Sequence, residues 1–140
     1  MRLDRALRYA LYATFSILFV TGAGWLLADQ MKDTASGDAW QAAAASLLMA
    51  HGGAAMAVLL LLGALVPLHV RPGWRMRKNR TTGALMVTAN GAFVLTGFAL
   101  YYAGVDVTRA WASWGHTAIG LLFPMLLLDH IAIGRRSRRQ

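Results

Sequence analysis

Apolar residues in this chain fall into four long stretches, and the polar segments between them are short. The stretches run roughly over Leu7–Leu27, Ala42–Val70, Gly83–Gly104 and Trp111–Gly134. A helix needs about 20 consecutive apolar residues to cross the hydrocarbon core of a bilayer, and each stretch reaches that length. We therefore predict an all-α fold, an integral membrane four-helix bundle in which residues 1–140 form a single transmembrane domain.

The charged residues predict which helix ends face the cytoplasm. The formal net charge is +8, and twelve of the fourteen Lys and Arg residues precede the first stretch, separate the second from the third, or follow the fourth. Because cytoplasmic loops are rich in Lys and Arg, we expect both termini in the cytoplasm. We attribute the charge to topology and lipid contact, and do not expect nucleic-acid binding. The twelve residues are Arg2, Arg5, Arg8, Arg71, Arg75, Arg77, Lys78, Arg80, Arg135, Arg136, Arg138 and Arg139.

Two further features of the sequence exclude classes of cofactor site and of enzyme. The chain contains no cysteine, which excludes a thiolate metal site and a covalently attached c-type haem. Its residues form no nucleophile–base constellation, phosphate-binding loop or carboxylate pair, so a classical hydrolytic enzyme is not expected.

All four histidines lie on the second and fourth stretches: His51 and His69 on one, His116 and His130 on the other. At 3.6 residues per turn, the step from His51 to His69 is about 5.0 turns, and the step from His116 to His130 is about 3.9 turns. We therefore expect each pair to lie on one face of its helix, with one imidazole near each side of the membrane.

This arrangement indicates two cofactors at two depths. The predicted pairing is His51 with His116 near the outside and His69 with His130 near the cytoplasm, which suits two bis-histidine haems held between helices. The axial separations differ, at about 27 Å on the second helix and about 21 Å on the fourth. Helix tilt and a bend at Pro67 would have to absorb the difference. A zinc or copper site would instead place three or four ligands at one depth.

The four histidines, on a four-span chain with both termini inside, resemble the bacterial di-haem membrane cytochromes of the cytochrome b-561 superfamily. The stretch from Trp114-Gly115-His116 to Asp129-His130 is similar to the helix that carries paired ligands in that family. In the common bacterial type one ligand comes from helix one, which has no histidine here. Two ligands on the second helix look more like the helix pairs of respiratory b-type cytochromes.

The resemblance implies a protein of the bacterial inner membrane with two haem b groups, a single haem being the alternative. It implies electron transfer between a membrane quinone and a partner, which is an extracytoplasmic redox protein or a larger membrane complex. The chain would then be a quinone-linked oxidoreductase or its electron-transfer subunit. Haem propionates are anionic, and arginine binds carboxylates bidentately. Arg109 on the outside and Arg71 and Arg135 on the inside are the candidates for this role.

Two other classes of protein remain open from the sequence. In one, the histidines form a relay in a non-redox proton or ion transporter. In the other, the glycine- and alanine-rich helices belong to an accessory or assembly subunit of a larger membrane complex. The first alternative predicts a protein that purifies without colour, and the second predicts instability when the chain is expressed alone.

Overall fold

The computed structural model describes residues 4–34, 36–77 and 79–137, and these residues form helices joined by short turns. Arg2, Lys78, Arg138 and Arg139, which contribute to the predicted charge asymmetry, lie outside the described residues. The helical elements are α1 (Arg5–Met31), α2 (Gly37–Leu65), a π-helical segment (Val66–Val70), α3 (Arg71–Arg75), α4 (Arg80–Tyr102) and α5 (Asp106–Arg136).

Four continuous helical segments in the described part of the chain are long and apolar enough to cross a membrane. They are Arg5–Met31, Gly37–Arg75, Arg80–Tyr102 and Asp106–Arg136. The prediction of an all-helical chain with four spans is confirmed at this level. The fold therefore indicates a multi-pass membrane protein.

The chain divides into two compact units, Met1–Arg71 and Pro72–Gln140. In the first unit α1 packs along α2, and we call this the N-terminal hairpin. In the second unit α4 packs along α5, which forms the C-terminal hairpin. Each hairpin is closed by a short turn, as antiparallel helix pairs usually are.

The polar residues over Asp29–Asp38 predict a loop between the first two spans, but the turn in the structure is shorter. Helix α1 continues to Met31 and α2 begins at Gly37, with Asp38 in its first turn. A carboxylate there faces the positive end of the helix dipole. The Lys32 ammonium donates a 2.9 Å hydrogen bond to Asp29, and this bond raises the pKa of Lys32. Because the pair is exposed, it contributes little to stability.

The basic segment between the second and third apolar stretches predicts a loop around Pro72, Gly73 and Trp74, and this prediction is wrong. These residues form α3, which follows directly from the π-helical segment. Pro72 lies within the continuous helical segment Gly37–Arg75 and has no N–H, so one backbone hydrogen bond of that segment is missing there. The Arg80 guanidinium donates two hydrogen bonds, of 2.9 and 3.2 Å, to the Trp74 carbonyl. It also lies 5.1 Å from the centroid of the Trp74 ring.

The turn that leads into α4 is closed by Asn79. Its φ of 53° is in the left-handed region, which Asn adopts more readily than most residues. The Asn79 amide donates a 3.0 Å hydrogen bond to the Ser137 hydroxyl, just beyond the end of α5. This contact joins the start of α4 to the end of α5.

Pro67 and Pro124 each follow a glycine by four residues, Gly63 and Gly120, so the sequence predicts similar bends at both. In the structure the backbone at the two prolines differs. Pro67 lies in the π-helical segment, where the Arg71 N–H donates to the Val66 carbonyl five residues earlier. Pro124 lies inside α5, which remains α-helical throughout. The second and fourth spans therefore do not share a backbone conformation at these prolines.

Candidate functional site

His51 lies on α2 and faces α1 within the N-terminal hairpin. Its Nδ1 is 3.0 Å from the hydroxyl oxygen of Thr21, which is only 8% exposed. The next residue on α1 is Gly22, and a Cβ built there would lie 3.2 Å from His51 Cε1. The absence of a side chain at Gly22 thus allows the imidazole to lie directly against the α1 backbone.

His116 occupies an equivalent position in the C-terminal hairpin. Its Nδ1 is 2.8 Å from the hydroxyl oxygen of Thr96 on α4. Gly97 follows, and a Cβ there would lie 3.9 Å from His116 Cε1, which is an ordinary contact distance. The edge of Phe93 contacts the ring, with the two centroids 5.2 Å apart. A threonine, a glycine and an aromatic ring therefore fix this imidazole.

The two hairpins repeat one local arrangement that the sequence analysis missed. In each, a Thr-Gly pair on the first helix contacts a histidine on the second. Each threonine hydroxyl also donates to the carbonyl four residues earlier, at 2.6 Å for Thr21 and 2.7 Å for Thr96. The available signal was the resemblance between Phe19-Val20-Thr21-Gly22 and Phe93-Val94-Leu95-Thr96-Gly97.

His130 is also bound through Nδ1 to a threonine, near the end of the C-terminal hairpin where α4 begins and α5 ends. Its Nδ1 lies 3.1 Å from the Thr82 hydroxyl oxygen on α4. That hydroxyl lies 3.4 Å from the Asn79 carbonyl, so its bond to the backbone is long. Three of the four predicted ligands thus have their ring orientation set by threonine.

His69 lies inside the π-helical segment, and this changes its expected position around the helix axis. The estimate of about 5.0 turns from His51 assumed α-helical geometry throughout. A π-helical turn closes its hydrogen bond over five residues and is wider than an α-helical turn. The rotation of His69 about the axis of its helix relative to His51 therefore departs from the predicted common face.

The predicted propionate ligands are exposed residues near helix ends. Arg71 is the first residue of α3, Arg109 is in the first turn of α5, and Arg135 is in its last turn. Arg135 is favoured there because a cation interacts well with the carbonyl end of the helix dipole. The assignment of the three arginines to propionates stays a prediction.

A conventional multi-ligand metal centre is not formed by the residues the structure describes. No group of three or more His, Asp or Glu side chains able to hold a metal ion occurs among them. A haem iron differs in this respect, because its ring supplies four nitrogens and the protein supplies only axial ligands.

No protein-family model, curated protein or solved structure matches this chain in the comparisons. The fold therefore defines the class, a multi-pass helical membrane protein, and the histidine sites are the features that point to a particular chemistry.

Proposed function

We propose that this protein is a membrane b-type cytochrome that binds two haems through His51, His69, His116 and His130. It transfers electrons between the quinone pool and a redox partner. The observation that carries the proposal is the repeated site. His51 and His116, on different hairpins and within apolar spans, are each held through Nδ1 against a threonine hydroxyl. The pairing predicted from the sequence, His51 with His116 and His69 with His130, is part of the proposal.

The donor chemistry at these sites fits axial haem ligation. A histidine that binds a metal through one ring nitrogen usually hydrogen-bonds through the other, which fixes the ring orientation. At His51, His116 and His130 the ring nitrogen that contacts the threonine hydroxyl is Nδ1, so Nε2 would be the nitrogen that ligates the iron. Haem supplies one-electron redox chemistry at its iron. The chain's residues hold and orient the ligands and surround them with apolar side chains.

Ionisable groups inside a span are costly and usually functional. Neutral imidazole is the form that coordinates a metal, and it is the less costly form in hydrocarbon. Four histidines in two spans are therefore better explained by ligation than by chance. Arg71, Arg109 and Arg135, near the ends of the spans, supply the cations that anionic propionates require. A membrane quinone supplies or accepts electrons from within the lipid.

The test is a reduced-minus-oxidised visible spectrum of the detergent-purified full chain, with haem quantified per chain. We expect a sharp b-type α-band and two haems per chain. His51→Ala and His116→Ala should each remove one haem. Asn90→Leu is the matched control, because Asn90 is a polar residue of a span whose amide donates to the Met86 carbonyl, 2.8 Å away.

A colourless protein after expression with ample haem would overturn the proposal. The next measurements would then be proton or ion flux into proteoliposomes, for a histidine relay, and co-purification with a larger complex, for an accessory subunit. Full haem content in all four histidine variants would also overturn it. One haem per chain, lost in His51→Ala and retained in His69→Ala, would restrict the site to the outer pair.

A further inference from the structure

We propose that Thr21 and Thr96 are positioning residues that hold their histidine partners in the Nδ1–H tautomer. Nε2 then carries the lone pair that binds the metal. The identity of that metal as haem iron rests on the proposed function. The tautomer assignment rests on the hydrogen bonds within the two hairpins. The tautomer assignment and the haem proposal can therefore fail separately.

The position of the Thr21 hydroxyl proton decides the tautomer of His51. A hydroxyl has one proton and two lone pairs. Thr21 Oγ1 lies 2.6 Å from the Ile17 carbonyl oxygen and 3.0 Å from His51 Nδ1. If the proton pointed to Nδ1, two oxygen acceptors would face each other at the shorter distance without a proton between them. The hydroxyl therefore donates to the carbonyl and accepts from His51 Nδ1–H.

The same reasoning applies to His116. Thr96 Oγ1 lies 2.7 Å from the Ala92 carbonyl oxygen and 2.8 Å from His116 Nδ1. The carbonyl can only accept, so the proton of the hydroxyl is directed to it and the imidazole donates. At His130 the carbonyl that accepts from Thr82 is that of Asn79, three residues earlier, and it lies 3.4 Å from Thr82 Oγ1. At that distance the carbonyl does not determine the direction of the Thr82 hydroxyl proton, so the tautomer is proposed only for His51 and His116.

The chain of bonds from Nδ1–H through hydroxyl to carbonyl affects Nε2 as well. Linked hydrogen bonds polarise one another, and a bond accepted from the distal N–H raises the basicity of a ligating histidine. A more basic ligand favours ferric over ferrous iron and lowers the midpoint potential. Loss of the hydroxyl should therefore raise the midpoint potential and weaken haem binding, by about 10–100-fold as for other outer partners of metal ligands.

The tautomer can be measured without haem. The full chain, labelled with ¹⁵N-histidine and produced with haem synthesis blocked, is reconstituted in bilayers, and solid-state NMR identifies the protonated nitrogen of each ring. Loss of one signal in His51→Gln and of another in His116→Gln assigns the two residues. We expect Nδ1–H at both. Thr21→Val should abolish this preference at His51, whereas Thr21→Ser should retain it.

Matched controls separate the histidine contact from the loss of a threonine. Thr14 lies on α1 and donates to the Ala10 carbonyl at 2.7 Å, so Thr14→Val removes the same backbone bond at a site away from His51. Thr88 is exposed on α4, so Thr88→Val is the control for the loss of a threonine from the helix that carries Thr96. In the haem-loaded protein, Thr21→Val and Thr96→Val should raise a midpoint potential. The serine variants and the two controls should leave it near the wild-type value.

The outcomes distinguish the inference from the proposed function. Nε2–H at His51 in the wild type would overturn the inference, and so would a tautomer and potential unchanged by Thr21→Val. A colourless protein with Nδ1–H at both histidines would retain the tautomer assignment and reject haem. If the haem-free chain loses its helical circular dichroism, the inference is tested by the midpoint potentials of the haem-loaded valine and serine variants instead.

Discussion

At the residue scale, alanine substitutions of the two glycines beside the histidines, Gly22 and Gly97, are expected to have different effects on haem affinity. A Cβ at Gly22 would lie 3.2 Å from His51 Cε1, so Gly22→Ala must displace the ring by a few tenths of an ångström. A Cβ at Gly97 would lie 3.9 Å from His116 Cε1. We expect Gly22→Ala to lower haem affinity by about 10-fold, as loss of an outer partner does. Gly97→Ala should leave it unchanged, and should stabilise the helix by about 0.5–1 kcal/mol.

Haem titration and thermal unfolding of the two alanine variants check this prediction. Equal effects of the two substitutions would show that ring displacement at Gly22 has no consequence for the site. Because both substitutions add the same methyl group to a Thr-Gly pair, each variant is the control for the other.

The residues that carry the candidate chemistry were only partly predictable from the sequence. Histidine is costly in a span, so His51 and His116 are recognisable without a structure. Thr21 and Thr96 are not, because threonine is common in membrane helices and usually bonds its own backbone. Which threonine meets a histidine depends on how far one helix is shifted along its neighbour, and a single sequence does not specify that shift.

At the scale of elements, the substitution Pro67→Ala tests the role of the π-helical segment. Pro67 has no N–H, so it cannot donate to the Gly63 carbonyl, and the chain instead closes a five-residue bond from Arg71 to Val66. Pro67→Ala restores the missing donor. We expect the segment to become α-helical, with a gain of about 0.5–1.5 kcal/mol from the new bond. His69 would then rotate about the helix axis.

The expected readout of Pro67→Ala is a shift in the midpoint potential, or loss, of the haem bound by His69. Pro124→Ala is the control, because α5 is α-helical on both sides of Pro124. An unchanged redox titration in Pro67→Ala, with the protein still folded, would contradict a role of the π-helical segment in placing His69.

The span positions followed from hydrophobicity, whereas the span ends did not. Three of the four predicted stretches lie wholly within helices, and the third, Gly83–Gly104, continues two residues beyond the end of α4 at Tyr102. Helices α1 and α2 extend into the polar segment, and Arg71–Arg75 is helical rather than a loop. Hydrophobicity indicates where lipid surrounds a helix. A helix can continue beyond the lipid into water when local interactions stabilise its terminal turns. The Lys32–Asp29 pair and the Arg80–Trp74 contacts are local interactions of this kind.

At the scale of the whole molecule, the predicted pairing of histidines makes the two hairpins energetically dependent on each other. If His51 and His116 bind one haem, Thr21→Val in the N-terminal hairpin and Thr96→Val in the C-terminal hairpin should raise the same midpoint potential. The double variant should shift only that haem further. A redox titration that resolves two haems measures this. Shifts of two different haems would contradict the pairing.

The orientation in the membrane is the remaining whole-molecule prediction, and the absence of cysteine makes it simple to test. Ser36 lies in the turn between α1 and α2, and Met76, 50% exposed, lies between α3 and α4. Because basic residues surround the second position, the positive-inside rule places it in the cytoplasm. A membrane-impermeant maleimide added to intact spheroplasts should label Ser36→Cys, and should label Met76→Cys only after lysis. The reverse labelling pattern would show that the protein has the opposite orientation in the membrane. Labelling of both cysteine variants before lysis would show that Gly37–Arg75 does not cross the membrane. The quinone-linked proposal depends on this result, since an outside redox partner requires Ser36 and the predicted outer haem on the same side.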